Sequence, residues 1–231
     1  MKKPLKPKIH IYFSEASHRG NKVLISEYFY IQHSFQRLVT KAMIVPYANE
    51  HKIEFDKQLR NKFKKNSTNS KDLFYIVLDT DFYTSGKTNH IIIKQINELY
   101  NEYKHNVKYI LSSRSFEVWL CMYNQSLYTK QFTTKADLNT DVDSSYDKSE
   151  KWYISNKKKL FDGYLEAKVS SIRSKQSVFN SSSPPPPTSN DIVDLLPDLS
   201  NQGLVSYLVN TNPFTYFEHL IEDLLAYREP I

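Results

Sequence analysis

Three acidic side chains stand just past two predicted β-strands, where they could act on one ligand. Glu15 lies two residues past the apolar segment 8–13, and Asp79 and Asp81 follow the apolar run 73–78. Converging carboxylates raise one another's pKa, and a bound cation relieves that repulsion. Because the candidate ligands are all oxygens, the pattern favours Mg²⁺ or Mn²⁺. The alternative is that each aspartate is only a turn or N-cap residue. However, Asp79 directly follows six apolar residues and would be costly to bury without a partner.

A second segment, 112–123 (SSRSFEVWLCMY), places a carboxylate among large apolar residues. Glu117 there either lines a pocket or lies in the first turn of a helix that the preceding serines cap. Arg114 either holds a phosphate or pairs with an acid, and the sequence does not distinguish these two roles. Three further basic residues in predicted loops are candidates for phosphate contacts, namely Arg19, Lys22 and Lys87.

Hydrophobic patterning predicts the elements that must position these side chains. Strands and helices alternate over residues 1–125, which is typical of a parallel sheet flanked by helices. In such sheets ligands bind just past the carboxyl ends of the strands. The expected strands are 8–13, 38–47, 73–78 and 107–111, and the expected helices are 23–35, 50–65, 90–104 and 116–123.

The second half of the chain, residues 126–231, is expected to form a helical extension packed on the 1–125 core. Its pattern predicts a long lysine-rich helix over 152–176 and an exposed low-complexity Ser/Pro loop at 181–190. A further helical stretch follows over 191–227, with interruptions near Pro197 and at Asn212-Pro213.

Composition bounds the class of protein. The chain has 231 residues, of which 40% are hydrophobic and 24% charged, as in an ordinary globular domain. We expect a soluble, cytoplasmic protein without membrane association, because no apolar run could span a bilayer and the single cysteine, Cys121, excludes an internal disulfide framework. Four glycines and no GxGxxG argue against a Rossmann or P-loop nucleotide site. The net charge of +6 indicates either a nucleic-acid partner or an ordinary solvated surface, and the same alternatives hold for Lys157, Lys158 and Lys159.

Taken together, the motifs resemble the RloB-like family, whose members have a Toprim-type domain. Four segments carry the resemblance in order: the acidic turn after the first strand, VLDTD, SSRSFEVWLCMY and NPFTYFEHLIEDL. The family's Ser-Asn-Pro-x-Phe-Glu-x-Trp pattern is matched by Ser112, Phe116, Glu117 and Trp119, and its Asn-Pro-x-Thr pattern by Asn212, Pro213 and Thr215.

The chain departs from the family pattern in two places. In the first motif Glu15 is kept, but Ala16 and Ser17 stand where the family has glycine and a second acid. Whether Glu27 serves as the later acid of that motif stays open. In the third motif Ser113-Arg114 replaces the usual Asn-Pro.

The resemblance implies a Toprim-like α/β fold and a Mg²⁺-dependent nuclease that cuts tRNA or DNA. It further implies a role in antiphage defence by abortive infection, beside an ABC-type ATPase partner, and leaves a homo-oligomer open. Catalysis would rest on Glu15, Asp79, Asp81 and Glu117, with the first three holding the metal. His18 either assists proton transfer or is an idle loop residue.

Two other functions share these features. One is a non-catalytic regulatory or binding subunit that docks on the ATPase, which the altered first motif favours. The other is a primase-like nucleotidyl transferase, which ranks last because the sequence contains nothing like a zinc-binding or template-handling domain.

Overall fold

The computed structural model describes residues 9–13, 17–19, 22–36, 44–48, 61, 73–79, 107–180, 182 and 211–226. The predicted helices 50–65 and 90–104 and the Ser/Pro loop 181–190 lie outside these residues, apart from the single positions 61 and 182.

A four-stranded parallel sheet forms the centre of the described structure, in the order β4-β1-β5-β6. The sequence prediction of an α/β protein with a parallel sheet is therefore confirmed. The strands are β1 (Ile9–Phe13), β4 (Ile44–Ala48), β5 (Leu73–Asp79) and β6 (Val107–Ser112).

The central strands are buried on both faces, as their unbroken apolar runs predict. One face of β1 contributes Ile9, Ile11 and Phe13 to the main hydrophobic core. On the other face, the rings of His10 and Phe74 stack with centroids 4.8 Å apart. Burial of this kind fixes the strand register, because a slip of one residue would exchange the two faces.

Between β1 and the first helix the structure differs from the sequence prediction. A short antiparallel hairpin of β2 (Ser17–Arg19) and β3 (Lys22–Leu24) occupies the segment where a turn and a helix start at 23 were expected. The helix α1 spans Ser26–Ser34. The sequence pattern at Lys22 to Leu24 fits a strand as well as the start of a helix. Pairing with Ser17 to Arg19 makes this segment a strand.

Five further helices are described. They are α2 (Glu117–Cys121), α3 (Lys135–Val142), α4 (Glu150–Asp162), α5 (Tyr164–Val178) and α6 (Phe217–Ala226). Helix α3 lies between the predicted helices 116–123 and 152–176, where the sequence pattern predicted no helix.

The predicted single helix over 152–176 is in fact two helices that meet at Gly163. A Cβ at Gly163 would lie 3.1 Å from the Tyr123 ring and 3.2 Å from the Lys159 carbonyl. The helix therefore breaks where Tyr123 approaches the backbone, a long-range contact that local periodicity cannot reveal.

An aromatic cluster joins the two halves of the chain. Tyr30 of α1 lies edge-on to Trp119 of α2 at 6.0 Å and to Phe217 of α6 at 5.7 Å. Trp119 also contacts Tyr164 of α5, with centroids 6.2 Å apart. These rings hold α1, α2, α5 and α6 against one another.

Candidate active site

Asp79 is the last residue of β5 and pairs in register with Ser112, the last residue of β6. It is only 5% exposed. On the other side of β5, the parallel strand β1 ends at Phe13, two positions before Glu15 in the sequence. The expected meeting of strand ends at one sheet edge is thus present, while Glu15 and Asp81 themselves lie outside the described residues.

Glu117 carries a carboxylate in the protein interior, where it is 1% exposed. The Ser115 hydroxyl donates to its Oε2 at 2.5 Å, the Tyr146 hydroxyl donates to its Oε1 at 2.9 Å, and the Lys148 ammonium forms an ion pair with Oε1. Burial alone would raise the pKa of Glu117, but the charge and hydrogen bond of Lys148, with the two hydroxyls, hold the pKa below its ordinary value. Glu117 is therefore ionised at neutral pH.

The sequence left two positions open for Glu117, in a pocket or in the first turn of a helix capped by serines, and the structure places it in the first turn of α2. The N-cap of α2 is Phe116, which makes no side-chain capping hydrogen bond. The Ser115 hydroxyl bonds the Glu117 carboxylate rather than a backbone amide. No side chain caps α2, and the Glu117 carboxylate is held in the interior by Ser115, Tyr146 and Lys148. Its catalytic role stays a prediction.

A tight turn joins β6 to α2 and sets the position of Glu117. The Ser115 amide donates to the Ser113 carbonyl at 2.8 Å, and Arg114 between them has a φ of 65°. This is the γ-turn with positive φ, which is rare and strained for a residue with a side chain. Arg114 is 7% exposed, and burial lowers the pKa of its guanidinium. Such strain persists where the surroundings enforce it, as they often do at functional sites.

Lys148 supplies the positive charge beside these acids, and its side chain is 27% exposed. Burial alone would lower the pKa of Lys148, but the charge and hydrogen bond of Glu117, followed by the charges of Asp79 and Glu27, raise it above the ordinary value. The ammonium contacts Glu117 directly and is attracted by the charges of Asp79 and Glu27, which are far from it in the sequence. We call Asp79, Glu117, Glu27 and Lys148 the acidic cluster.

Glu27 enters the acidic cluster from the first turn of α1, where it is 5% exposed. Helix α1 is held against α4 by the ring contact of Phe29 with Tyr153 at 6.0 Å, and by the 3.1 Å contact of His33 Nε2 with Glu150. The sequence left the role of Glu27 open, and the structure puts it within electrostatic range of Lys148.

Sequence reasoning missed Lys148 and Tyr146. Both stand in a polar loop between α3 and α4, where a lysine looks like any other surface lysine. Their role depends on the contacts of this loop with Glu117 in α2, and no local pattern marks it.

The C-terminal Asn-Pro-x-Thr segment lies directly beside the end of β6. Ser113 and Phe214 exchange backbone and hydroxyl hydrogen bonds of 2.8 to 3.0 Å, and the Ser112 and Thr215 hydroxyls lie 2.8 Å apart. The Asn212 side chain accepts from the Phe132 amide at 2.7 Å. The two motifs that carried the family resemblance therefore contact each other.

A buried ion pair anchors this C-terminal segment to α5. The Lys175 ammonium pairs with Glu218 and donates to the Thr215 carbonyl at 2.7 Å and to Ser171 Oγ at 2.9 Å. Burial lowers the pKa of Lys175, although the Glu218 charge opposes that effect. The Ser174 hydroxyl bonds the Pro213 carbonyl at 2.5 Å.

The remaining predicted residues are distributed as follows. For His18, Arg19 and Lys22 the structure describes only the backbone of the hairpin, and Lys87 lies outside the described residues. The lysines at 157–159 are exposed on α4.

The chemistry of the described donors fits a hard divalent cation, because Asp79 offers a buried carboxylate at the carboxyl end of a central strand. Within the described residues alone, no group of three metal-binding side chains is close enough to form a complete site. Two of the three predicted ligands, Glu15 and Asp81, are not among those residues.

The fold and the site together define an α/β protein whose parallel sheet presents a buried acidic cluster at its carboxyl edge. The chain belongs to the RloB family, described as RloB-like protein, whose model matches residues 10–224. No curated protein and no solved structure matches the chain. Among the described residues, no helix is both long and apolar enough to cross a membrane.

Proposed function

We propose that this protein is a Mg²⁺- or Mn²⁺-dependent nuclease that cleaves phosphodiester bonds in tRNA or DNA. It would act as the effector of an antiphage, abortive-infection system with an ABC-type ATPase partner. The observation that carries the proposal is the buried Asp79 carboxylate of the acidic cluster, at the carboxyl end of a central parallel strand. Membership of the RloB-like family supports it.

In this proposal Asp79, Glu15 and Asp81 hold the metal. A divalent ion at such a site supplies Lewis-acid stabilisation of the scissile phosphate and an activated water. Glu15 shares the ion or accepts the proton of the attacking water. Glu117, ionised and held by its donors, fixes Lys148 and Tyr146 at the rim of the site.

The substrate phosphates would be bound by basic residues around the same edge. Arg114 is the described candidate, because its turn lies between the strand that ends beside Asp79 and the helix that starts at Glu117. The others are Arg19, Lys22 and Lys87. The exposed lysines at 157–159 and the net charge of +6 favour a polyanionic substrate.

The test is a cleavage assay with purified full-length protein. The protein is mixed with tRNA or plasmid DNA and Mg²⁺ or Mn²⁺, with and without a candidate ABC-type ATPase partner. We expect cleavage that EDTA abolishes. Asp79→Ala should reduce cleavage at least a hundredfold, since removal of a metal ligand removes charge stabilisation in the transition state.

The matched control is Asp162→Ala, which removes an exposed carboxylate at the end of α4 and should cleave as the parent does. Circular dichroism confirms that each variant is folded. Intact substrate under every condition, or normal cleavage by folded Asp79→Ala, would contradict the proposal.

A second candidate is a regulatory subunit without catalysis that docks on the ATPase. Two observations favour it: Ala16 and Ser17 alter the first motif, and Lys148 already places a positive charge in the acidic cluster. A metal titration separates the two functions, because a chain that binds neither Mg²⁺ nor Mn²⁺ would be the regulatory subunit.

A further inference from the structure

Helices α4 and α5 carry large apolar side chains on their exposed surface. In the part of the chain that the structure describes, the exposed large apolar residues all lie on these two helices, at 46% to 69% exposure: Ile154, Phe161, Leu165 and Val169. Partly exposed Ile172 follows on α5. A single exposed apolar side chain is ordinary on a protein surface, whereas a contiguous group marks an interaction site.

These five side chains form one stripe that continues across Gly163, and we call it the apolar stripe. Helical hydrogen bonds reach Gly163 from both sides, since its amide donates to the Lys159 carbonyl and its carbonyl accepts from the Ala167 amide, each at 3.0 Å. The intervals of seven, four, four and three residues along the stripe are those of one helix face. The buried residues keep one face as well, because Tyr153 of α4 and Tyr164 of α5 are about three helical turns apart. The stripe therefore lies on the outer side of the joined helices.

Positive charge surrounds the part of the stripe that α4 supplies. The exposed charged residues of this helix are four lysines and one aspartate, namely Lys151, Lys157, Lys158, Lys159 and Asp162. Lys158 lies on the stripe itself, four residues after Ile154 and three before Phe161. The surface that complements this pattern has apolar side chains flanked by carboxylates.

A second copy of the chain does not complement the stripe. A parallel pair of stripes would place Lys158 against the same residue of the second copy. An antiparallel pair centred on Gly163 would place Lys158 near Lys168 of the second copy. Both arrangements bring like charges together, which disfavours self-association through this surface.

We propose that the apolar stripe binds an acidic amphipathic helix of a partner protein. The stripe is about 27 Å long from Ile154 to Ile172, at a rise of about 1.5 Å per residue, and accommodates a helix of about 18 residues. Apolar side chains of the partner at i, i+3, i+4 and i+7 pack along the stripe, and carboxylates beside them pair with Lys157 and Lys158. This inference goes beyond the proposed function and does not require nuclease activity.

Two other anionic partners fit the stripe less well. Nucleic acid would be contacted by the lysines but would leave the apolar side chains without a partner. An anionic membrane would accept both kinds of side chain. However, the exposed carboxylates of Asp162 and Glu166 directly follow Phe161 and Leu165 in the chain, and anionic headgroups would repel them.

The experiment measures binding of two synthetic peptides to the full-length protein by fluorescence anisotropy. The acidic peptide has about 18 residues, with leucines at i, i+3, i+4 and i+7 and glutamates beside them. The matched basic peptide has lysine at every glutamate position. We expect the acidic peptide to bind with a Kd on the order of 10 μM, as small interfaces do, and the basic peptide to bind much more weakly.

Two kinds of variant test the two features of the surface. Leu165→Glu places a charge in the middle of the stripe and should weaken binding of the acidic peptide about tenfold or more. Val169→Glu does the same one turn further and is measured in place of Leu165→Glu if that variant does not fold. The double variant Lys157→Glu and Lys158→Glu should reverse the preference and bind the basic peptide more tightly than the acidic one.

The matched controls carry the same changes away from the stripe. Ser177→Glu adds a carboxylate at an exposed position of α5, and Lys135→Glu reverses an exposed charge on α3. Both should bind the acidic peptide as the parent does. Circular dichroism confirms that each variant is folded.

Analytical ultracentrifugation and sedimentation with phosphatidylglycerol–phosphatidylcholine vesicles test the other occupants of the stripe. A dimer that Leu165→Glu dissociates would assign the stripe to a second copy, and vesicle binding that Leu165→Glu abolishes would assign it to a membrane. Either result overturns the proposal. It is also overturned if the acidic peptide does not bind the parent, or if it binds Leu165→Glu and the parent equally.

Discussion

Glu117 keeps its charge at a position almost wholly removed from water because three donors converge on its two oxygens. A buried ion pair of this kind adds little more to stability than an apolar pair would. Removal of one partner is costly, however, because it leaves the other charge without its counter-ion. We therefore expect Glu117→Gln to lower the free energy of unfolding by about 2–4 kcal/mol at pH 7.

The same substitution has a predictable pH dependence. The pKa of Glu117 is depressed in the folded state, so its contribution is present above the ordinary glutamate pKa and disappears as pH falls through the depressed value. The stability difference between the parent and Glu117→Gln should shrink below about pH 4. Urea unfolding across pH measures it, with Glu166→Gln on the exposed face of α5 as the control. A constant difference down to pH 3 would contradict the assigned ion pair.

Arg114 gives a second prediction at the residue scale, because its φ of 65° costs free energy for any residue with a Cβ. Arg114→Gly and Arg114→Ala both remove the guanidinium, but only the glycine relieves the backbone. We expect the glycine variant to be more stable than the alanine variant by about 1 kcal/mol. Chemical denaturation of both variants tests this, and equal stability would argue against the strained γ-turn.

The residues of the site were only partly predictable from the sequence. Asp79 was named as a candidate because a carboxylate directly after an apolar strand is costly to bury without a partner. Glu117 was named because its neighbours in the sequence are large and apolar. Lys148 was missed because its loop meets Glu117 only through long-range packing, which no local pattern encodes. The role of Glu27 stayed undecided because the first motif of the chain departs from the family pattern.

At the scale of elements, the C-terminal segment is fastened to α5 by the buried pair of Lys175 and Glu218. We expect Lys175→Met to lower stability by about 3–5 kcal/mol, since it leaves Glu218 charged and buried. The double variant with Glu218→Gln should lose less than the sum of the two single losses, because neither charge then stays unpaired.

The matched control for this cycle is the partly exposed pair of Lys168 and Glu222, whose charged atoms lie 2.8 Å apart. Lys168→Met should cost less than about 1 kcal/mol. Additive effects of Lys175→Met and Glu218→Gln in chemical denaturation would show that the buried pair does not fasten this segment.

The helices and strands differ in how clearly the sequence pattern marks them. Strands β1, β5 and β6 were predicted within one or two residues, because fully buried parallel strands appear as unbroken apolar runs. The break at Gly163 and the hairpin before α1 were not predicted, since each depends on a contact or a pairing that periodicity does not encode.

At the scale of the whole molecule, the site is built from both halves of the sequence. The sheet supplies Asp79, α1 supplies Glu27, and the loop before α4 supplies Lys148, while the Asn-Pro-x-Thr segment braces the end of β6. This arrangement explains why the family resemblance extends to both ends of the chain, and the family model over residues 10–224 agrees with it. The division into a 1–125 core and a 126–231 extension stays a prediction.

The central claim is that the carboxyl edge of the sheet binds a divalent metal at Asp79. The most direct measurement is an anomalous difference map from a crystal of the full-length protein grown with Mn²⁺. We predict a peak within coordination distance of an Asp79 carboxylate oxygen, and its loss in Asp79→Asn. A map with no peak at Asp79 at saturating Mn²⁺, or with manganese bound only elsewhere, would contradict the account.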